Sequence, residues 1–217
     1  MPNRYRAQGT EAEFEPGSRG RVLRNLLGIR SAREMVRRES EALLAATQQL
    51  IDDTDVDQRF VADDVCHMHR TWLGDIYQWA GDYRSVNLTK GEFMFAAAGQ
   101  VPRLMREFER GPLRDCTPCR FANTEEQAPA LAVVHVELIL IHPFRDGNGR
   151  CARLLATLMG LQAGLPALDF SGIHGVEKRR YIAAIHEGVV RNYEPMTNVF
   201  RKVIARTLRV HAGIRRG

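Results

Sequence analysis

One segment limits the possible folds more than any other. Ala130–Ile141 is the most apolar run of the chain, broken only by His135 and Glu137. Extended back to Glu125, it is too long for a strand and is apolar on nearly every side. A helix of that kind is stable only when other elements enclose it. The chain offers them. Ser31 caps a helix predicted to run to about Ile51, with Glu34 three residues on completing a capping box and Met35, Val36, Leu43, Leu44 and Leu50 at helical spacing. Further helices are predicted over about 57–80, 100–109, 150–163, 177–190 and 195–211. Tyr83 to Phe95 alternates partly around Lys90-Gly91, the signal of a β-hairpin. The expected fold class is all-α, or mostly α: a helical bundle with one short hairpin. The first 20 residues, with Pro2, Gly9, Pro16, Gly17 and Gly20, read as an arm rather than a folded element.

Composition excludes several classes. With 217 residues, 44% hydrophobic and 26% charged, the chain suits one ordinary globular domain. Met1 to Gly20 lacks a signal-peptide pattern, and no run of about 18 apolar residues predicts a membrane span. Four Cys do not make a disulfide scaffold, so a reducing cytoplasmic setting is expected. Cys116-Thr-Pro-Cys119 has no second pair and reads as two ordinary thiols. His67 and His69, two apart on a helix, point to different faces and are expected to pack or lie at the surface rather than hold a metal. The net charge of +5 is uneven: residues 1–40 carry +4, 41–190 carry −5 and 191–217 carry +6. The basic ends admit a nucleic-acid partner, but no aromatic residues interleave with the tail arginines, and a solvated surface is the simpler reading.

Chemistry concentrates at His142-Pro143-Phe144-Arg145-Asp146-Gly147-Asn148-Gly149-Arg150, followed by Cys151-Ala152-Arg153. Pro143 ends the preceding helix at His142. Gly147, Asn148 and Gly149 allow backbone N–H groups to converge on an anion, and the next helix adds its N-terminal amides. Arg150 and Arg153, three apart, share a helix face and suit a polyphosphate. Asp146 beside phosphates makes sense if Mg2+ bridges them. His142 at the loop entry can take a proton from a hydroxyl. Base, metal ligand, nest and two cations within twelve residues point to phosphoryl or nucleotidyl transfer.

These residues match the Fic family motif HPFx(D/E)GNGRxxR at every defined position. Asp75-Ile-Tyr-Gln-Trp-Ala-Gly81-Asp-Tyr-Arg84 resembles the family's stretch before its hairpin, and Asn25-Leu-Leu-Gly-Ile29 resembles the N-terminal stretch of some bacterial Fic toxins. The resemblance covers roughly residues 20–205. It implies a single Fic-like domain over 1–217, with an arm at 1–30, a core at roughly 57–205 and a basic tail at 206–217. It implies a helical Fic fold with a hairpin flap, and a protein adenylyltransferase that passes AMP from ATP, the co-substrate, to a Tyr, Ser or Thr of a target. By resemblance His142 is the general base and Asp146 holds Mg2+. Gly147, Asn148, Gly149, Arg150 and Arg153 bind ATP phosphates, with Lys90, Gly91 and Tyr181 also at the ATP site. Phe144 anchors the loop. Thr89, Lys90, Gly91, Glu92 and Phe93 form a flap on which the target docks as an added strand. The 184–192 stretch lacks the family's usual Asn at a matching offset, which leaves base preference open. Gly149 favours AMP transfer over Doc-type phosphorylation. Transfer of another nucleotide or of phosphocholine stays open.

Many Fic enzymes carry an inhibitory (S/T)xxxE(G/N) helix. The fourth residue after every Ser and Thr of this chain is never Glu; Thr71 with Asp75 comes nearest. The expectation is a bacterial toxin acting on the ATPase subunits of DNA gyrase or topoisomerase IV, with Arg153 restrained by a separate small antitoxin that supplies the Glu in trans. The alternatives are a secreted effector modifying host GTPases and, in another class, a non-catalytic nucleotide-binding or interaction module or a nucleic-acid-binding protein.

Overall fold

The computed structural model describes residues 6–7, 11 and 13–214. The far ends of the expected arm and tail, Pro2, Gly9 and Arg215 among them, lie outside the described residues. The fold is helical, with one small antiparallel sheet. The chain forms two compact units: residues 1–53, 62–107 and 141–151 make the first, and residues 54–61, 108–140 and 152–217 make the second.

The first unit is built on α1 (Ala32–Asp53) and α2 (Ala62–Leu73). The amide of Glu34 reaches the Ser31 hydroxyl at 3.4 Å, so Ser31 opens α1. Met35, Ala46, Trp72, Leu73, Ile76 and Tyr77 are buried in one cluster. Val22 belongs to that cluster too, which corrects the reading of an unfolded arm. Phe14 bridges Leu23. The Asn25 side chain accepts from the amides of Leu27 and Ile29 and donates to the carbonyls of Leu23 and Ile29, fixing a loop that lacks regular structure. α2 also stops earlier than its apolar periodicity predicts. Beyond Leu73 the chain turns, because the Ile76 carbonyl takes the Leu26 amide and the Tyr77 and Trp79 rings stack at 4.5 Å. Tertiary bonds outbid the helix there.

β1 (Arg6–Ala7), β2 (Leu88–Lys90) and β3 (Phe93–Met94) form the sheet in the order β1-β2-β3. Lys90 pairs with Phe93, so Gly91-Glu92 is a two-residue turn, and Gly91 takes a φ of +61° that such turns need. α3 (Val101–Phe108) follows.

In the second unit, a wide helical turn at Glu109–Leu113 leads to α4 (Arg114–Cys116), α5 (Thr124–Ile141), α6 (Asn148–Gln162), α7 (Gly175–Glu187) and α8 (Glu194–Ile214). The last residue of α5 and the first four of α6 count with the first unit. α5 is the apolar helix of the sequence, and Leu131, Val134, Val136 and Leu138 are buried on several sides of it. Its two polar interruptions both have partners. His135 meets the Tyr181 hydroxyl at 2.7 Å, and Glu137 accepts from the Tyr193 hydroxyl. Cys116 and Cys119 are buried free thiols, and desolvation pushes them up to about 11 and about 12, so they are protonated at neutral pH. Among the described residues, no helix is long and apolar enough to cross a membrane.

Gly188 lies against α5, and a Cβ there would fall on Val136 Cγ1. Gly188→Ala is expected to lose about 1–3 kcal/mol in denaturant unfolding by overpacking. Gly99→Ala, where a Cβ meets nothing within 4 Å, serves as the matched neutral substitution.

Candidate active site

The loop from His142 to Gly147 leaves the end of α5 and enters α6. It is buried along most of its length: His142 is 3% exposed, Phe144 0%, Arg145 2% and Asn148 1%. Buried backbone groups need partners, and side chains supply them. The Asn148 side chain accepts from the Phe144 amide at 2.9 Å and donates to the Phe144 carbonyl at 2.8 Å. That side chain is committed to closing the loop, so the phosphate-cradle role expected for Asn148 rests on its backbone amide at the start of α6. Phe144 stacks on the His69 ring at 3.8 Å. His69 is buried and takes the Gly81 amide on Nδ1 at 2.8 Å. Its Nε2 therefore carries the hydrogen and donates to the Asp146 carbonyl at 3.1 Å. Gly147 has a φ of +82°, and a Cβ there would lie 2.8 Å from the Trp72 ring, so only glycine fits. Around Gly149, by contrast, a Cβ would meet nothing within 4 Å.

His142 adopts a φ of +53°, a left-handed conformation that costs a non-glycine residue about 1–2 kcal/mol. Its ring stacks on Phe95 at 3.6 Å, and its carbonyl accepts from Arg84 Nε at 2.7 Å. Asp146 is partly exposed, and its Oδ1 accepts the Gly147 amide at 2.5 Å. A single hard carboxylate at a solvent edge suits Mg2+, which takes one or two protein carboxylates and completes its shell with phosphates and water.

Arg150 differs from the expected open phosphate clamp. Its NH1 pairs with Glu39 at 2.7 Å, its NH2 lies 3.8 Å from Asp146, and its guanidinium sits 4.4 Å over the Trp72 ring. Glu39 also accepts from the Tyr77 hydroxyl at 2.7 Å, and its carbonyl takes the Trp72 indole N–H at 2.9 Å. Glu39 does not fit the (S/T)xxxE(G/N) pattern, because Met35 stands four residues before it and Ser40 follows. The signal was in the periodicity: Met35, Glu39, Ala46 and Leu50 are the buried residues of α1, so a carboxylate stands among apolar positions. A glutamate of this chain thus holds the first motif arginine, Arg150.

Thr89, Lys90, Gly91, Glu92 and Phe93 lie on the hairpin in the same unit as residues 142–150, with Lys90, Gly91 and Glu92 exposed. The edge of β2 is already occupied: Arg6 pairs with Thr89 and Ala7 with Leu88. Arg153 and Tyr181 belong to the second unit. His135 Nδ1 faces the Ala152 carbonyl at 3.1 Å, so that nitrogen carries the hydrogen and the Tyr181 hydroxyl donates to Nε2. Sequence reasoning missed His69, Arg84, Glu39 and Tyr77 as supports of the loop.

Residues 59–159 match the family model for the Fic/DOC family. The chain carries a Fic/DOC domain. Around this domain the chain is 29% identical over 205 residues to the probable protein adenylyltransferase Fic of Salmonella typhimurium, covering 91% of this chain and 94% of that protein. It is 28% identical over 181 residues to the protein adenylyltransferase VbhT of Bartonella schoenbuchensis, where it spans 83% of this chain and 37% of the relative. The chain thus spans little more than a third of VbhT. Among solved structures, the Fic fold is shared with BepC, a VirB-translocated effector of Bartonella tribocorum with bound AMPPNP (TM-score 0.69, 25% identity, 83% of this chain and 91% of that one).

Burial sets a pH dependence. Desolvation lowers His69 to about 4 and His135 to about 3, so both are neutral in the folded chain. The unfolded chain binds these protons from about pH 6.5 downward, whereas the folded chain resists until about pH 4 for His69. Stability is therefore complete above about pH 6.5 and falls as pH drops toward 4. His69→Gln is expected to flatten that fall by roughly 1–3 kcal/mol, read from urea midpoints at pH 7 and pH 4.5. Equal slopes for variant and wild type would refute the assignment.

Proposed function

We propose that this chain is a protein adenylyltransferase that transfers AMP from ATP to a Tyr, Ser or Thr hydroxyl of a target protein. The observation that carries the reading is the 142–150 loop: a histidine on a buried, hydrogen-bonded backbone, six residues before the N-terminus of α6, with Asp146 partly exposed between them. His142 takes the proton of the target hydroxyl. The freed oxygen attacks the α-phosphorus, and pyrophosphate leaves. The N-terminus of α6 with Asn148 and Gly149 receives the phosphates through backbone amides, and Gly147, whose own amide is taken by Asp146, shapes the turn into it. Arg153 lies one helical turn beyond Arg150 and supplies positive charge toward the phosphate end. Lys90, Gly91 and Tyr181 complete the ATP site. Mg2+, held by Asp146, neutralises phosphate charge when bound. Arg150, tied to Glu39, acts as a fixed cation next to Asp146. BepC with AMPPNP, at 25% identity, supports ATP as the co-substrate.

The target docks on the hairpin as an added strand. Because Arg6–Ala7 already pair with β2, docking uses β3 or displaces β1. The chain acts as one Fic-like domain over 1–217. In its leading form the reading is a cytoplasmic bacterial toxin whose target is a type II topoisomerase ATPase subunit, of DNA gyrase or topoisomerase IV, restrained by a small antitoxin that brings a glutamate to Arg153. Within this chain Glu39 engages Arg150, three positions before Arg153. A second form, a secreted effector acting on host GTPases, is supported by the likeness to BepC, a VirB-translocated effector.

Incubation with ATP and a bacterial lysate tests the reading. Label in the α-phosphate should reach a protein, and γ-label should not. His142→Ala should lower α-label incorporation at least a hundredfold. Equal labelling by the variant would remove His142 as the base, and γ-label transfer would make the chain a kinase. A labelled topoisomerase subunit favours the toxin form; a labelled GTPase in a eukaryotic lysate favours the effector form.

A further inference from the structure

We infer that Arg84 is a positioning residue for the transfer reaction: it locks the strained backbone of His142 to the root of the hairpin, so that base and target-docking strand move as one body. The inference rests on the proposed role of His142 as base. Arg84 is 3% exposed. Its Nε donates to the His142 carbonyl at 2.7 Å, its NH1 to the Val86 carbonyl at 2.7 Å, and its NH2 to the Ala96 carbonyl at 2.5 Å and the Ile141 carbonyl at 3.4 Å. Its own amide donates to the Pro143 carbonyl at 2.8 Å. One residue thus holds three consecutive carbonyls at the loop entry and one carbonyl on each side of the hairpin.

The choice of residue follows from the geometry. Val86 stands two residues before β2 and Ala96 two residues after β3, so the guanidinium closes the mouth of the hairpin. His142 sits left-handed directly before a proline, a position that ordinarily favours extended backbone. A conformation of that kind persists only where its surroundings over-determine it. The fork of Arg84 does so from below, and Phe95, the first residue after β3, does so from the side by stacking on the imidazole. Only arginine has a planar set of donors able to reach carbonyls in several directions at once; lysine carries three donors on one atom. Burial lowers Arg84 to about 10, with Glu11 opposing the shift, so it remains charged at neutral pH.

A displacement of about 1 Å at a reacting group can cost on the order of a hundredfold in rate. Arg84→Lys is therefore expected to lower kcat for α-label transfer at least tenfold, to leave the affinity for AMPPNP within about twofold, and to keep a cooperative unfolding transition. Hydrogen exchange should quicken at the hairpin and at 142–144 together. Phe95→Leu, which keeps apolar bulk but removes the stack, should lower kcat in the same manner while retaining nucleotide affinity. Unchanged kcat in Arg84→Lys overturns the inference, and so does loss of AMPPNP affinity or of the folded state in parallel with activity, which would make Arg84 merely structural. His142→Ala separates the two readings. If that variant is inactive while Arg84→Lys is fully active, the base assignment stands and the positioning role falls. If His142→Ala is active, the base assignment itself fails.

Discussion

Buried backbone must be hydrogen-bonded, and the 142–148 loop makes that constraint the organising problem of the first unit. The loop has no ladder and no helix of its own. Two side chains from elsewhere in the sequence and one from its own end replace those missing partners. Arg84 takes the carbonyls at its entry, His69 takes the Asp146 carbonyl, and Asn148 closes on both polar groups of Phe144. Trp72 leaves space for nothing but glycine at position 147. The result is a loop whose shape is set before any ligand arrives. That is the kind of preorganisation that makes oriented amides effective toward developing charge.

The same economy of partners explains the charges. Arg150 is flanked by Glu39 and Asp146 and lies over an aromatic face, so its direction is set by contacts on three sides. Glu39 is 8% exposed, and a carboxylate so placed needs its cation and the Tyr77 hydroxyl. Removing either partner would leave a buried charge exposed to desolvation cost. The pair links α1 to the start of α6, which makes α1 part of the site rather than a helix lying beside it. His69 and His135, both buried and neutral, act as fixed donors and acceptors rather than as titrating groups.

How much was legible beforehand depended on whether the signal was local. The run Ala130–Ile141 read as an enclosed helix, and α5 is one, because side-chain apolarity on all faces admits few other outcomes. The motif 142–153 was readable as chemistry since its residues are contiguous. Glu39 was hidden because its partner lies 111 positions away, although the apolar face of α1 carried a trace of it. Arg84 stood in a stretch already noticed, yet nothing in its neighbours says that its donors meet five carbonyl-bearing residues from two segments. Helix α2 was overextended, since periodicity does not register that Leu26 takes the Ile76 carbonyl. The arm was underestimated for the same reason: Asn25 organises it through four side-chain bonds.

By itself, then, the sequence determined the helical class, the hairpin and the contiguous phosphate-type motif. Those follow from periodicity, turn chemistry and short-range spacing, which act within a few residues. Only the tertiary structure decided that Glu39 holds Arg150, which side chain of the motif is consumed in closing the loop, and what keeps His142 in a left-handed turn. It also decided that the hairpin edge is shared with the chain's own N-terminal strand. These are long-range pairings, settled by which buried polar groups find each other once the chain is compact.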